Sequence, residues 1–422
     1  MEVTQIVSVL CLIPLAALIF GIPELGLVLC LVVGSLFKGM IQPFLGPLDI
    51  TVYLFAITFS SIFIRSSMEK KLALPDLKIN IGILLLTTLL LVSLLYTPLP
   101  RQGTEMFLRF VFLTISMLYA TFIWCNDVSR IKRLLFIFSG ILLAYGTAAF
   151  IWVFLLGHGL HPGSRSPFPE TPVLGIARYL AVGIAIAFIL RSFVSSKYKR
   201  LMLGLLMIIG LVELIALNAR GPLIALFVGI LCLFLLYSPN ERRRLVSLAP
   251  IGLAIIVLAF ILLPSQYTGR YVLITNLESS SITWRLEAWQ YVIAHFSDWF
   301  FTGAGICGFH YYYLGVTNSF DMIQAPHNIF LGIFADVGFF GLLLLVWLIG
   351  SLFYRGAKMP RAGERSIHLL GLATIVAFIV FITEYLFGGS LISTRGLWFF
   401  GGLILSLERL CIVRDKRSMA PC

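Results

Sequence analysis

A chain of 422 residues that is 59% hydrophobic, only 12% charged and has a mean hydropathy of +1.00 cannot cover a water-soluble surface of its size. Its apolar residues fall in stretches of about 16–25, long enough at about 1.5 Å per residue to cross a bilayer core. The formal charge of +12 does not mark a nucleic-acid binder, because the excess sits in short clusters that alternate along the chain.

In chain order the apolar segments lie near 5–20, 24–38, 50–66, 79–96, 105–124, 133–157, 173–195, 200–217, 221–238, 245–263, 327–353, 367–388 and 393–408. In lipid each must be helical, since a helix satisfies its own backbone hydrogen bonds. The first two are short and joined by GIPE at 21–24, so they make one broken hairpin or two spans. The expectation is therefore an all-α polytopic membrane protein with about 12 (12 or 13) transmembrane helices, in a single integral membrane domain over 1–422. The N-terminus lacks the positively charged leader of a cleavable signal.

Basic clusters occupy every second loop, at 69–78, 129–133, 195–200, 241–244, 355–365 and 414–417. The positive-inside rule places them, and the C-terminus, on the cytoplasmic side. The loop at 264–326 then lies outside, with those at 97–104 and 158–172 and the NARG connection at 218–221. Of seven cysteines only Cys307 falls in an outer loop, and no disulfide framework or metal spacing is visible.

A loop as long as 264–326 is expected to carry structure or function. Within it ITWRLEAWQYVIAHF reads as a helix with Trp284, Ala288, Tyr291, Val292 and His295 on one face, and Ser280 or Ser281 as its cap. The aromatic-rich, Gly-punctuated DWFFTGAGICGFHYYYLG that follows suits an element at the membrane surface.

Removing the cytoplasmic clusters leaves Lys38, Arg101, Arg109, Arg165, Arg178, Arg220, Arg270, Arg285 and Arg395 at or near the outer face. Topology disfavours them there, and eight of the nine are arginine, whose planar fork holds phosphate oxygens bidentately. Arg220 lies in the tight ALNARGPL turn, with Pro222 expected at the first helical position. A snorkelling role is the alternative for it. Arg285 sits in the loop helix, where pairing with Glu278 or Glu287 is the bland reading. Arg178, inside an apolar segment, is functional by default or pairs structurally with Glu384. Arg270 and Arg395 are further candidates of this kind.

The segment from 327 begins with His-Asn at its outer end. His327, with an ordinary pKa near 6.5, can take a proton from a hydroxyl at neutral pH, and Asn328 can bond a substrate or start the helix. Asp336 and Glu213 read as structural partners within helices. No D-x-D pair for a metal-bound nucleotide sugar is present, so metal-independent chemistry without a cofactor is expected.

Arg220 in NARGPL, Arg285 in WRLEAW, GAGICGF at 303–309 and PHNIFLGIFADVGFFG at 326–341, with His327 and Gly338 eleven positions apart, resemble the O-antigen ligase and O-antigen polymerase superfamily over roughly 175–345. The resemblance implies a membrane glycosyltransferase of the C type with a large periplasmic loop containing short helices. It implies a donor glycan on undecaprenyl diphosphate, and an acceptor that is lipid A-core for a ligase or a lipid-linked glycan for a polymerase. Carried over to this chain, Arg220 and Arg285 hold the donor diphosphate and His327 acts as base or positions the acceptor, with inversion at the sugar carbon. Arg178, Arg270, Arg395 and Asn328 would help bind donor or glycan. A polymerase would also work with a chain-length regulator. A flippase or exporter of an anionic lipid-linked glycan remains an alternative, though its cations should line a path rather than gather on one face.

Overall fold

The computed structural model describes residues 3–37, 41–42, 49–160, 167–168, 172–237, 239–264, 267–268, 280–317, 325–359 and 364–418. Every regular element among them is helical: α1 Val3–Gly21, α2 Pro23–Leu36, α3 Ile50–Met68, α4 Leu77–Ser93, α5 Pro100–Arg109, α6 Ser116–Trp124, α7 Val128–Phe150, α8 Val173–Leu190, α9 Lys197–Ala216, α10 Arg220–Leu236, α11 Pro239–Leu262, α12 Ser280–Ala294, α13 Phe296–Trp299, α14 Gly308–Thr317, α15 Ile329–Lys358, α16 Arg365–Phe387 and α17 Arg395–Ser418. A π-helical turn at Phe110–Ile115 joins α5 to α6, so the expected loop at 97–104 is largely the start of a helix beginning at Pro100.

Seven helices among the described residues are long and apolar enough to cross a membrane: Ile50–Met68, Pro100–Trp124, Val128–Leu155, Val173–Phe193, Ile329–Lys358, Arg365–Phe387 and Arg395–Val413. Five more apolar helices, Leu12–Gly21, Pro23–Leu36, Leu77–Ser93, Arg220–Leu236 and Gly252–Leu262, are shorter than the roughly 20 residues that a ~30 Å core asks of an upright helix. Helices α8, α16 and α17 form the centre, with 83%, 78% and 67% of their apolar windows buried, against 44–50% for the other four.

In a bilayer, helix contacts depend on close approach rather than on hiding grease. Helices α10 and α16 show how. Gly221, Ala225 and Gly229 recur every fourth residue on α10, facing Val376, Val380 and Glu384 at the same spacing on α16. A Cβ at Gly229 would meet the Val380 side chain at 2.6 Å, and one at Gly221 would meet Glu384 Oε2 at 2.9 Å. Gly183 against Leu142 and Gly402 against the Leu118 carbonyl lock α8 to α7 and α17 to α6 in the same way.

Ion pairs gather the basic loops at one end of the bundle. Arg130 meets Glu69 at 2.5 Å, while Arg355 meets Glu408 at 2.5 Å and also Asp76. Helix α15 runs from His327 at one end to Arg355 at the other, and α17 runs from Arg395 toward Glu408. The expected grouping of alternate loops therefore holds for 69–78, 129–133 and 355–358.

Candidate active site

The turn that carries Arg220 forms because Asn218 takes a left-handed backbone conformation (φ 53°), which Asn tolerates better than most residues. Helix α10 then starts at Arg220, two residues before the expected position, and Pro222 sits inside its first turn, where its missing N–H has no helical acceptor anyway. Ala219 offers no side-chain cap to this helix start. The small-residue stripe presses this turn against the Glu384 carboxylate.

Arg178 comes to the same carboxylate from α8. Its Nη2 donates to Glu384 Oε1 at 3.3 Å and to the Gly388 carbonyl at 2.7 Å, and its guanidinium lies 4.7 Å from the centre of the Tyr385 ring. The Tyr385 hydroxyl donates onward to the Ser393 carbonyl at 2.7 Å. The pairing of Arg178 with Glu384 anticipated from sequence is thus present. Yet it leaves polar atoms unused: the donors Nε of Arg178 and Nε of Arg220 and the acceptors Oε2 of Glu384 and Oδ1 of Asn218 are buried without a hydrogen-bond partner among the described residues. Native interiors rarely leave such atoms unmatched, and guanidinium N–H groups in that condition suit an anion.

Arg285, on α12, reaches this group from the loop. Its electrostatic partners are Glu384 and Arg220 rather than the neighbouring Glu287. Glu278 and Arg270 lie outside the described residues, as do Lys38 and Arg165. Burial lowers the Arg285 pKa, Glu384 opposes that and Arg220 reinforces it, but an arginine stays protonated throughout.

His327 completes the group in a left-handed conformation (φ 53°), uncommon for a side-chain-bearing residue and often associated with functional sites. Trp289 on α12 holds it there, its indole Nε1 donating to the Pro326 carbonyl at 2.8 Å. Burial, then the positive charges of Arg285 and Arg178, hold the imidazole pKa below its usual value near 6.5. Asn328 caps α15: its Oδ1 accepts from the N–H groups of Phe330 at 2.9 Å and Leu331 at 3.2 Å, the helix-starting role considered for it.

The loop is anchored by an interlock that the sequence reading did not foresee. Expected as one continuous helix, α15 is broken at Gly338 (φ 74°, ψ −165°), a conformation essentially reserved for glycine. The freed Phe339 N–H donates to the Phe300 carbonyl at 2.7 Å, and Ala304 N–H donates to the Ala335 carbonyl at 2.7 Å. A Cβ at Gly338 would meet Phe300 O at 2.7 Å; one at Gly303 (φ 68°) would meet the Asp336 carbonyl carbon at 2.5 Å. Asp336 accepts from Cys307 N–H at 3.2 Å, making it a partner of the loop rather than of another helix. Burial and that carboxylate push the Cys307 thiol up to about 12, which keeps it unreactive.

The aromatic loop residues pack with Ala288 and Val292 into a second small core around Trp299, Phe309, Tyr313 and Phe334. Trp284 points away from it, 38% exposed, and Phe301 and Tyr311 are exposed as well. Gly338→Ala should therefore lower the melting temperature in detergent, costing roughly 1–3 kcal/mol through backbone strain alone. It should also reduce activity, because the kink holds the loop; an unchanged melting curve would contradict the interlock.

Arg178 thus pairs with Glu384, Arg285 lies in the field of Glu384 and Arg220, and His327 lies in the field of Arg285 and Arg178. Arg395 has another set of neighbours, considered below. The signals for Gly338, Trp289 and the Gly221 stripe lie in spacing, and only the last was readable without the loop's path. Among the described residues no three His, Cys, Asp or Glu side chains cluster as a metal site.

Residues 205–346 match the family model described as O-Antigen ligase. The match covers about a third of the chain and supports the resemblance drawn from the motifs. No curated protein matches the chain. A chain of the solved structure described as "Structural coordination of polymerization and crosslinking by a peptidoglycan synthase complex" is similar over 80% of this chain and 98% of that one, at 15% identity and a TM-score of 0.42; nothing about activity rests on a likeness of that level.

Proposed function

We propose, from the match of residues 205–346 to the O-antigen ligase model, that the protein moves a glycan from undecaprenyl diphosphate onto lipid A-core at the periplasmic face of the bacterial inner membrane. The observation that carries this is the set of Arg178, Arg220 and Arg285 with Glu384 as their acidic partner, next to a histidine whose pKa burial and the arginines lower. Arg220 and Arg285, on separate elements, grip the diphosphate, and Arg178, fixed by Glu384 and Gly388, supports them.

The acceptor hydroxyl oxygen attacks the sugar C1 while the bond from C1 to the phosphate oxygen breaks, so configuration at C1 inverts. The electron pair leaves on undecaprenyl diphosphate, where preorganised arginines stabilise the growing charge. His327 takes the hydroxyl proton. Metal ions have no assigned role in this scheme. The polyprenyl chain stays in the bilayer, beside the short α10.

A gene deletion read on a lipopolysaccharide gel tests the acceptor. Loss of all long glycan from lipid A-core, with lipid-linked polymer accumulating, is expected. A core carrying a single repeat unit would instead make the protein a polymerase.

A further inference from the structure

Arg395 starts α17, immediately after a 3-10 turn at Leu391–Thr394. Its guanidinium carbon lies 5.4 Å from the centre of the Phe55 ring on α3, and its Nη1 would lie 3.8 Å from a Cβ at Gly34 on α2. Its electrostatic partners are Tyr179, Cys30, Arg109 and Asp49; Arg220, Arg285 and His327 are not among them. Arg178 and Arg395 both act electrostatically on the Tyr179 hydroxyl.

The two groups differ in how they are balanced. Arg178 has Glu384 at 3.3 Å, whereas Arg395 has no carboxylate within 4.0 Å among the described residues. Asp49, the acidic side chain in its field, caps α3 through Thr51 N–H at 2.8 Å. Arg109 is bound to Glu105 at 2.6 Å, but both side chains are about half exposed, and such pairs are weak enough to exchange for a better acceptor. Exposed Leu108 and Phe112 flank Arg109, so this rim faces acyl chains. An arginine without a directly paired carboxylate in a membrane protein is costly and points to a ligand. Held over Phe55 by a cation–π contact, a planar fork can still offer N–H groups to phosphate oxygens.

We propose that Arg395 and Arg109 form a second anion subsite, apart from the Glu384 cluster, that takes the phosphate headgroup of a lipid. The headgroup belongs either to the second, acceptor lipid or to a bulk anionic phospholipid. Calling the site second rests on the reading of the other cluster as the donor clamp. A transferase that joins two bilayer-anchored molecules must hold both in register, and a phosphate on the acceptor's own lipid is the handle this pair offers.

The test is calorimetric titration of the purified full-length protein, in neutral detergent, with farnesyl diphosphate as a soluble prenyl diphosphate. Wild type should bind two equivalents. Arg395→Gln should bind one, lost in turn when Arg285→Gln is added, and Arg285→Gln alone should keep the event that depends on Arg395. Arg109→Gln, on an exposed helix surface, should weaken only that second event, on the order of tenfold. Arg395→Lys, which keeps the charge but not the fork, should retain the event at lower affinity. Repeating the titration with dioleoyl phosphatidylglycerol present distinguishes the sources: displacement of the Arg395 event identifies a phospholipid site, and persistence identifies the acceptor.

A single wild-type equivalent that vanishes in Arg285→Gln would overturn the proposal, as would two full equivalents in Arg395→Gln. If Arg395→Gln does not fold, an unaltered second event in Arg109→Gln overturns it instead. Two equivalents surviving Arg285→Gln, with one lost in Arg395→Gln, would remove the donor clamp and leave the second subsite standing.

Discussion

His327→Gln is expected to slow glycan transfer by roughly 10²–10⁴-fold, the usual contribution of a positioned base, while the detergent melting temperature stays near wild type. The pH profile makes the expectation specific. Only the neutral imidazole can accept the hydroxyl proton, and burial with Arg285 and Arg178 lowers the His327 pKa below 6.5. Wild-type activity should therefore be level through neutral pH and fall only below about 6.5, as the ring becomes protonated. Arg285→Gln removes one of the charges that disfavour the imidazolium, so the acid limb of its residual activity should move upward. Full activity in His327→Gln, or a limb that does not move in Arg285→Gln, would eliminate His327 as the base.

Arg285→Lys should lose nearly as much activity as Arg285→Ala, roughly 10²–10³-fold, despite keeping a positive charge. The reason is geometric. A lysine ammonium supplies one point of charge, whereas a guanidinium presents two parallel donors to phosphate oxygens that part from C1 as the reaction proceeds. Single-turnover measurement with saturating donor separates the transfer step from binding. A Lys variant at wild-type speed would mean that Arg285 contributes field alone and does not hold the diphosphate by a bidentate contact.

Much of the scaffold was legible because charge and hydropathy are long-range signals that need no knowledge of packing. Helix ends were harder. In a soluble helix the buried face stands out from a polar one, but α8, α10 and α16 meet lipid and protein with equally apolar side chains, so periodicity says little about which face packs. The small residues at 221, 225 and 229 carried that information, and they explain why the backbone at Gly221 lies against Glu384. The arginines were visible because they stand where topology disfavours them. His327 was visible because of its place at the mouth of α15. What holds these residues in register was not visible: the Trp289 bond to Pro326 and the Gly303–Gly338 interlock join segments whose mutual approach no local pattern encodes. For the same reason FLGIFADVGFFG reads as unbroken helix, since glycine at 338 is helically tolerable until Phe300 claims the Phe339 N–H.

The order of synthesis adds a constraint to the pairing of Arg178 with Glu384. Arg178, Arg220, Arg285 and His327 all emerge from the ribosome before residue 384. Phe300, the acceptor for the broken backbone of α15, precedes its donor Phe339, so that helix can enter lipid with its kink already satisfied. Arg178 has no such provision: two hundred residues must be made before its carboxylate arrives. The pair between α8 and α16 is therefore a late contact, made only once the chain has been synthesised through Glu384.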